Sequence, residues 1–506
     1  MAHHSAAKPD LDVLIVGAGI SGVSAAYHLQ KRCPDKSYAI LERRDAVGGT
    51  WDLFRYPGIR SDSDMYTLGF RFKPWEKQKA IADGHSIKKY VEETVDEEDI
   101  RKNIRFGRKV IDARWSSQHA LWTVEAVNGA TGETEQTTAR FIAMCAGYYN
   151  YDAGYTPEFE GVDSFEGQLI HPQQWPEDLD YAGKRVVVIG SGATAVTIVP
   201  VMAETAGHVT MLQRSPTYMI SRSVKDKFAL TLRKFLPAKL AYGIVRWRNV
   251  VLQQFFFKMA RNKPVKVKEK LLKAVRAKLP EGYDVETHFT PRYNPWEERL
   301  CLVPDNDMFH AISSGKASVA TDHIERFSPE GLKLKSGRTL AADIVVTATG
   351  LDLQTLGGAE LTVDGRKVEP RDITIYKGMM YSNVPNMIFT FGYTNASWTL
   401  KADLVSEYLC RMLKHMDRTG AVQATPRLTD PNIERKPFAD FSSGYFKRAE
   451  HKMPKQGVEK PWRLHQDYAV DMMNLRFGGL EDEVMEFRGP EAENEADGAP
   501  ALSAAE

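Results

Sequence analysis

Cysteine is scarce in this chain: four in 506 residues, at Cys33, Cys145, Cys301 and Cys410. They form no CxxC pair and no Cys/His metal spacing, which argues against a zinc site, a disulfide scaffold and a dithiol redox centre. An excess of charge of one sign is missing as well. With 67 Lys and Arg against 66 Asp and Glu the formal charge is +1, so no whole-molecule field attracts nucleic acid. No apolar run reaches membrane-spanning length, and the opening MAHHSAAKPD has no apolar signal core. A cytoplasmic protein is expected.

What remains is an ordinary globular composition, 43% hydrophobic and 26% charged, in a chain too long for one small core. Two or three domains are expected. The first opens with LDVLIVGAGISGVSAAYHLQ, a short apolar run that stops at glycines and passes into a helical period. That pattern is a buried parallel strand, a tight turn and a helix. Gly17-Ala18-Gly19-Ile20-Ser21-Gly22 fits GxGxxG. Gly17 permits the turn, Gly19 lets the backbone approach a pyrophosphate, and Gly22 lets helix pack on strand, with the helix N-terminus facing the phosphates. Glu42, twenty residues past Gly22 at the end of SYAILE, can accept ribose hydroxyls. A carboxylate there repels a 2′-phosphate, so this loop predicts FAD or NAD.

The same pattern returns in KRVVVIGSGATAVTIVPVMA, from Lys184. Here Gly190-Ser191-Gly192-Ala193-Thr194-Ala195 is the GxGxxA form, again after a strand. The place of Glu42 is taken by Arg214 and Ser215, at the end of HVTMLQRSPT. A guanidinium holds a 2′-phosphate bidentately, and Ser215 can donate one more hydrogen bond. One site is built for a free ribose and the other for a phosphorylated one. FAD plus NADPH follows.

The expected fold class is therefore α/β, with two dinucleotide-binding Rossmann-like domains and the NADPH domain inserted in the FAD domain. Residues 11–155 and 385–488 are assigned to the FAD domain and 156–384 to the NADPH domain. Residues 1–10 and 489–506, the latter acidic and rich in Ala, Gly and Pro, read as disordered. Within the second domain a helical insertion is expected over 223–295. Its portion 223–280 holds 16 Lys and Arg against 2 acidic residues. That is either a solvated charged face or a surface that steers an anionic cofactor or touches anionic lipid, the last making the protein membrane-associated. The acidic run Glu92 to Asp99 reads as a solvated helix face.

Two linkers are more specific. Phe165 to Pro176, FEGQLIHPQQWP, matches FxGxxxHxxxWP, and Gly48 to Asp62, GGTWDLFRYPGIRSD, matches GGxWxxxxYPGxxxD. On these motifs the chain resembles the type I Baeyer–Villiger monooxygenases of the flavin-containing monooxygenase superfamily, from about Leu11 to the tail. YNPWEERLCLVP and YTNASWTLKADLVSE look like the ethionamide-monooxygenase branch. The resemblance implies an FAD- and NADPH-dependent enzyme that inserts one oxygen of O2 next to a ketone carbonyl, by way of a peroxyflavin, giving an ester or lactone. It also implies sulfoxidation. The alternative is heteroatom oxygenation at sulfur or nitrogen alone. A disulfide reductase would need a close cysteine pair, and a non-catalytic nucleotide-binding regulator would not need Arg299.

By resemblance, Arg299 in NPWEERL is the catalytic arginine and Asp62 the carboxylate that orients it. Ser21, Thr50, Trp51, Asp52 and Leu53 are implied to line FAD. Val110 is implied to meet the adenine through its backbone, and Arg60, Ser61 and Asp62 to border the nicotinamide. Tyr393 to Trp398 are implied to wall the substrate pocket. Beside Arg299, many members carry a Lys where this chain has Glu298, which shifts the 2′-phosphate onto Arg214 and Ser215. His171 reads as an interdomain positioning residue rather than a proton-transfer group.

Overall fold

The computed structural model describes residues 8–298, 300–430, 432–439 and 443–490. Arg299 lies outside the described residues, as do 1–7 and 491–506, on which most of the two expectations of disorder fall.

The apolar run that opens the chain forms β1 (Leu11–Val16), and α1 (Ile20–Arg32) follows it. β1 lies parallel between β2 (Tyr38–Leu41) and the C-terminal half of a long later strand. Both of its faces are covered. Val13 and Ile15 enter one core with α1, while Leu14 and Val16 enter the other. That two-sided burial is why the strand reads as unbroken hydrophobic rather than alternating. β3 (Ile104–Arg105) extends this edge, and an antiparallel meander of β4 (Arg108–Ser116), β5 (Leu121–Asn128) and β6 (Thr134–Met144) completes the other side. Short helices α2 (Thr50–Leu53) and α3 (Met65–Leu68), then the longer α4 (Gly84–Glu97), fill the connection after β2.

A second sheet begins at β7 (Gln168–Ile170) and β8 (Arg185–Ile189), with α5 (Ala193–Met202) leading to β9 (His208–Gln213). With strands Ala317–Thr321 and Ile344–Thr347 it makes five parallel strands. Val186 and Val188 pack toward α5, while Val187 and Ile189 pack toward Phe327, Leu332 and Leu340 of an antiparallel three-stranded sheet. Two sheets, each with its own covered faces, give the α/β architecture with two Rossmann-like folds.

Between the parallel pair β10 (Tyr218–Arg222) and β11 (Leu300–Pro304) stand four helices: α6 (Lys227–Leu232), α7 (Ala238–Asn262), α8 (Pro264–Arg276) and α9 (Val285–Phe289). α10 (Asp307–Ser313) follows. The chain then re-enters the larger sheet sooner than the expected return at 385. Glu360–Val363 already pairs parallel with β4, and Met387–Phe389 with β6. The early return is a short strand whose partner lies far back in the sequence, so nothing local marks it. α11 (Trp398–Thr419) closes the larger unit by packing along α1, where Ser24 Oγ donates to Asp403 at 3.0 Å.

Candidate active site

The first glycine loop, the end of β2 and the run after it converge on one cleft. Gly17, Gly19, Ser21, Glu42, Thr50, Trp51 and Val110 all line it. Gly17 has φ +102°, and a Cβ there would stand 2.7 Å from the Cys145 carbonyl oxygen. Gly22 does not line the cleft: a Cβ there would lie 1.9 Å from the Gly17 oxygen, so it serves the close packing of α1 on the turn. Glu42 is buried, and burial pushes its carboxyl up. Backbone N–H groups of Ala18 (2.7 Å) and Arg44 (2.9 Å) oppose that rise and fix the carboxylate.

Of the run Thr50 to Leu53, only Thr50 and Trp51 reach the cleft. Asp52 is buried between Arg44 Nε (2.6 Å) and Lys88 Nζ (2.7 Å). Leu53 packs into the core of the smaller sheet. The helical turn of α2 sends successive side chains to different sides, and a motif cannot say which side meets the cleft.

The glycine loop and its acidic partner do not account for every residue of the cleft. Trp398, at the start of α11 and implied by resemblance for the wall of the substrate pocket, lines this cleft instead: it donates from Nε1 to Ser21 Oγ at 2.7 Å and stacks on Tyr148 at 5.3 Å between centroids. That contact leaves the Ser21 hydroxyl proton available to a phosphate oxygen. Tyr151, Arg43 and Lys109 also line the cleft. Only the folded chain brings them together.

The fit to a dinucleotide rests on two approaches of bare backbone. Gly19 faces Gly49, whose Cα would lie 3.6 Å from a Cβ on Gly19. Gly19 also caps α1 with no side-chain hydrogen bond, and the first turn of α1 holds no acidic residue. Free N–H groups at that helix end suit a pyrophosphate. Gly19→Val should therefore fold, because its φ of −77° suits any residue, but the valine should block the space between the loops. The expected product is a folded, colourless protein; a yellow variant with wild-type flavin content would refute this placement.

The second loop is more open. Gly190 has φ +138°, and a Cβ there would meet the Ala348 oxygen at 2.3 Å, whereas Gly192 has no atom within 4 Å of a Cβ. Ala195 is buried, Ala193 and Thr194 are half-buried, and Ser191 Oγ donates to the Ser215 carbonyl at 3.0 Å. Arg214 and Ser215 are exposed beside this loop. Burial raises the Glu298 carboxyl, and the charges of Lys447 and Arg214 oppose the rise. Lys447 and its neighbour Arg448, whose guanidinium covers Tyr155 at 3.5 Å, are cations the sequence reading missed.

Arg60 ties the first sheet's loop to the second unit, with Nη1 2.6 Å from Asp307 of α10. Its Nε and Nη2 are buried without a partner among the described residues, donors available to a ligand. Ser61 is buried, its Oγ accepting from the Ser63 N–H at 3.0 Å. Asp62 is exposed, and its relation to Arg299 lies outside the described residues. The neighbouring Asp64 is the buried carboxylate here, capping α3 through the Thr67 N–H at 3.1 Å. His171 follows β7 in the smaller sheet, its ring filling the place a Cβ on Gly154 of the inter-sheet connection would take and its Nδ1 accepting the Gln173 N–H at 3.2 Å. Burial lowers its pKa, so it is neutral at pH 7.

A second cavity, about 690 Å3, is bounded by Phe257 and Arg261 of α7, Trp296, Thr394, Asn395, Phe438 and Phe446. Thr394 and Asn395 fall within the stretch implied to wall the substrate pocket.

Comparison with known proteins decides the family. Residues 72–274 match the flavin-binding monooxygenase-like family and residues 15–79 an NAD(P)-binding Rossmann-like domain. The FAD-containing monooxygenase EthA of Mycobacterium tuberculosis is 54% identical over 478 residues, 94% of this chain and 97% of that one. The chain belongs to the flavin-containing monooxygenases. As a member it is a flavin-dependent, NADPH-using oxidoreductase, in line with its two nucleotide folds. Another relative of this monooxygenase, the probable FAD-binding monooxygenase AlmA of Acinetobacter baylyi, is 48% identical over 479 residues, 94% of this chain and 96% of that one. The fold of this chain is similar to that of an oxidized steroid monooxygenase bound to NADP, with a TM-score of 0.75 at 21% identity over 95% of this chain and 99% of that one.

Proposed function

We propose that this monooxygenase inserts one oxygen atom of dioxygen next to a ketone carbonyl, giving an ester or lactone, and that it also oxidises sulfides. The observation that carries the reading is the FxGxxxHxxxWP segment, whose His171 is neutral and half-buried, its ring packed against Gly154 of the connection from the larger sheet to the smaller. A neutral imidazole with one nitrogen already accepting a backbone N–H is a spacer that fixes how the two nucleotide folds face each other.

In this reading the larger-sheet cleft takes FAD and the open second loop takes NADPH. Glu42 accepts from ribose hydroxyls, while the N–H groups at the start of α1 and the Ser21 hydroxyl hold the pyrophosphate. Arg214 and Ser215 grip the 2′-phosphate, and Lys447 adds positive potential where Glu298 withdraws it. Arg60 and Ser61 border the nicotinamide. A bound FAD supplies the redox chemistry, accepting hydride and reducing dioxygen. Arg299 supplies a permanent cation for the negative charge that develops as oxygen is transferred, since a guanidinium stays protonated at any working pH. Asp62 orients it.

The test is incubation with NADPH, air and a panel of aliphatic, cyclic and aryl ketones plus one thioether, with products identified by mass. Ester or lactone formation is expected, with sulfoxide beside it. Sulfoxide alone would move the assignment to heteroatom oxygenation.

A further inference from the structure

Among the described residues twelve large apolar side chains are exposed, and nine of them fall between Phe228 and Val265. The pattern on α7 is regular. Leu240, Ile244, Trp247, Val251 and Phe255 stand four, three, four and four residues apart, which places them on one helical face. Val251 is 60% exposed and Phe255 63%, while Phe235, in the turn before α7, reaches 79%. The opposite face is anchored. Ala241, Tyr242, Val245 and Asn249 are buried, and Arg246 donates to the carbonyls of Gly69 (2.7 Å) and Tyr66 (2.9 Å) and pairs with Asp403. The rotation of α7 is therefore fixed, and the apolar stripe is held outward. Trp247 meets Tyr468, and the turn after Tyr468 adds the exposed Met473 and Phe477. Monomeric proteins seldom expose contiguous apolar patches of more than a few hundred Å2.

Around the stripe lies the charge excess of 16 Lys and Arg against 2 acidic residues over 223–280, in a chain whose total charge is only +1. These features narrow the partner. A second copy of this chain would bring the same basic surface against itself, because a twofold interface is self-complementary. Lysine is also depleted from interface cores. No helix among the described residues is long and apolar enough to cross a membrane, and α7 itself carries Lys239, Arg246, Arg248, Lys258 and Arg261. An apolar stripe flanked by lysines fits a helix lying in the plane of a membrane interface. We infer that α6, α7 and α8 form a docking surface for an anionic lipid bilayer, with Leu240, Trp247, Val251 and Phe255 entering the headgroup and acyl boundary and the surrounding lysines meeting lipid phosphates.

The test is co-sedimentation of the flavin-loaded full chain with vesicles of phosphatidylcholine and phosphatidylglycerol, and with phosphatidylcholine alone. Binding is expected on the anionic vesicles at low salt, weakening as salt screens the charges. The double variant Val251→Asp, Phe255→Asp should lower binding at least ~10-fold, since each side chain loses its transfer into the apolar layer. Its flavin content and NADPH oxidation should match the parent, because both residues are exposed and neither lines a cavity. Equal binding to neutral vesicles, no binding at low salt, or binding untouched by the double variant would each overturn the proposal. Concentration-dependent self-association, abolished by the same variant and without vesicle binding, would reassign the face to a dimer.

Discussion

Arg299→Ala is expected to give a yellow protein that still oxidises NADPH and consumes oxygen, while ester formation falls by about 10²–10³-fold, the usual cost of removing a preorganised charge from a reacting centre. The residues proposed to hold the two nucleotides are others: Gly17, Glu42 and Trp398 in the cleft of the larger sheet, and Gly190 to Ala195 on the smaller. Flavin content and the KM for NADPH should therefore change little. The electrons that no longer reach product should appear as hydrogen peroxide, so product by mass and peroxide by a coupled assay are measured together. Arg299→Lys should recover only part of the activity, because an ammonium lacks the rigid fork. Normal ketone oxidation by Arg299→Ala would remove the residue from the reaction.

Arg214→Ala should raise the KM for NADPH by roughly 10–100-fold and leave that for NADH nearly unchanged. Hydrogen bonds to a charged group contribute about 1.5–3 kcal/mol, and a guanidinium on a phosphate is of that kind. Two features set the size of the effect. Glu298 brings a carboxylate near Arg214 where a cation would help the phosphate, which places more of the binding on Arg214 itself. Lys447 offsets part of that. Steady-state kinetics with both nucleotides decides the matter: an unchanged ratio of the two KM values would place the 2′-phosphate elsewhere.

Both glycine turns were legible in the sequence because their signals are local. A buried strand, a turn that needs bare backbone and a helix follow one another within about twenty residues, and the acidic or basic residue ending the next strand is read at a fixed distance. The contrast of Glu42 with Arg214 needed nothing else. The acidic run from Glu92 likewise falls largely on α4, whose sequence is helical by period.

What the sequence did not reveal depends on contacts between residues that no local pattern joins. Trp398 reaches Ser21 from the start of α11, and Lys88 and Arg44 take up Asp52, which the motif had offered to the cofactor. The return at Glu360 was hidden because a four-residue strand has no pattern of its own until its partner β4 is known. The stripe on α7 was visible as helical register, but not its direction. That depended on Arg246 finding the carbonyls of α3 and its flanks.

One helix, α7, presents Val251 and Phe255 outward and, within two further turns, contributes Phe257 and Arg261 to the wall of the second cavity. An enzyme seated on a bilayer by that helix draws on substrate dissolved in lipid rather than in water. For a sparingly soluble ketone the governing variable then becomes its mole fraction in the membrane. Diluting it with added lipid would slow turnover even at constant total substrate and enzyme.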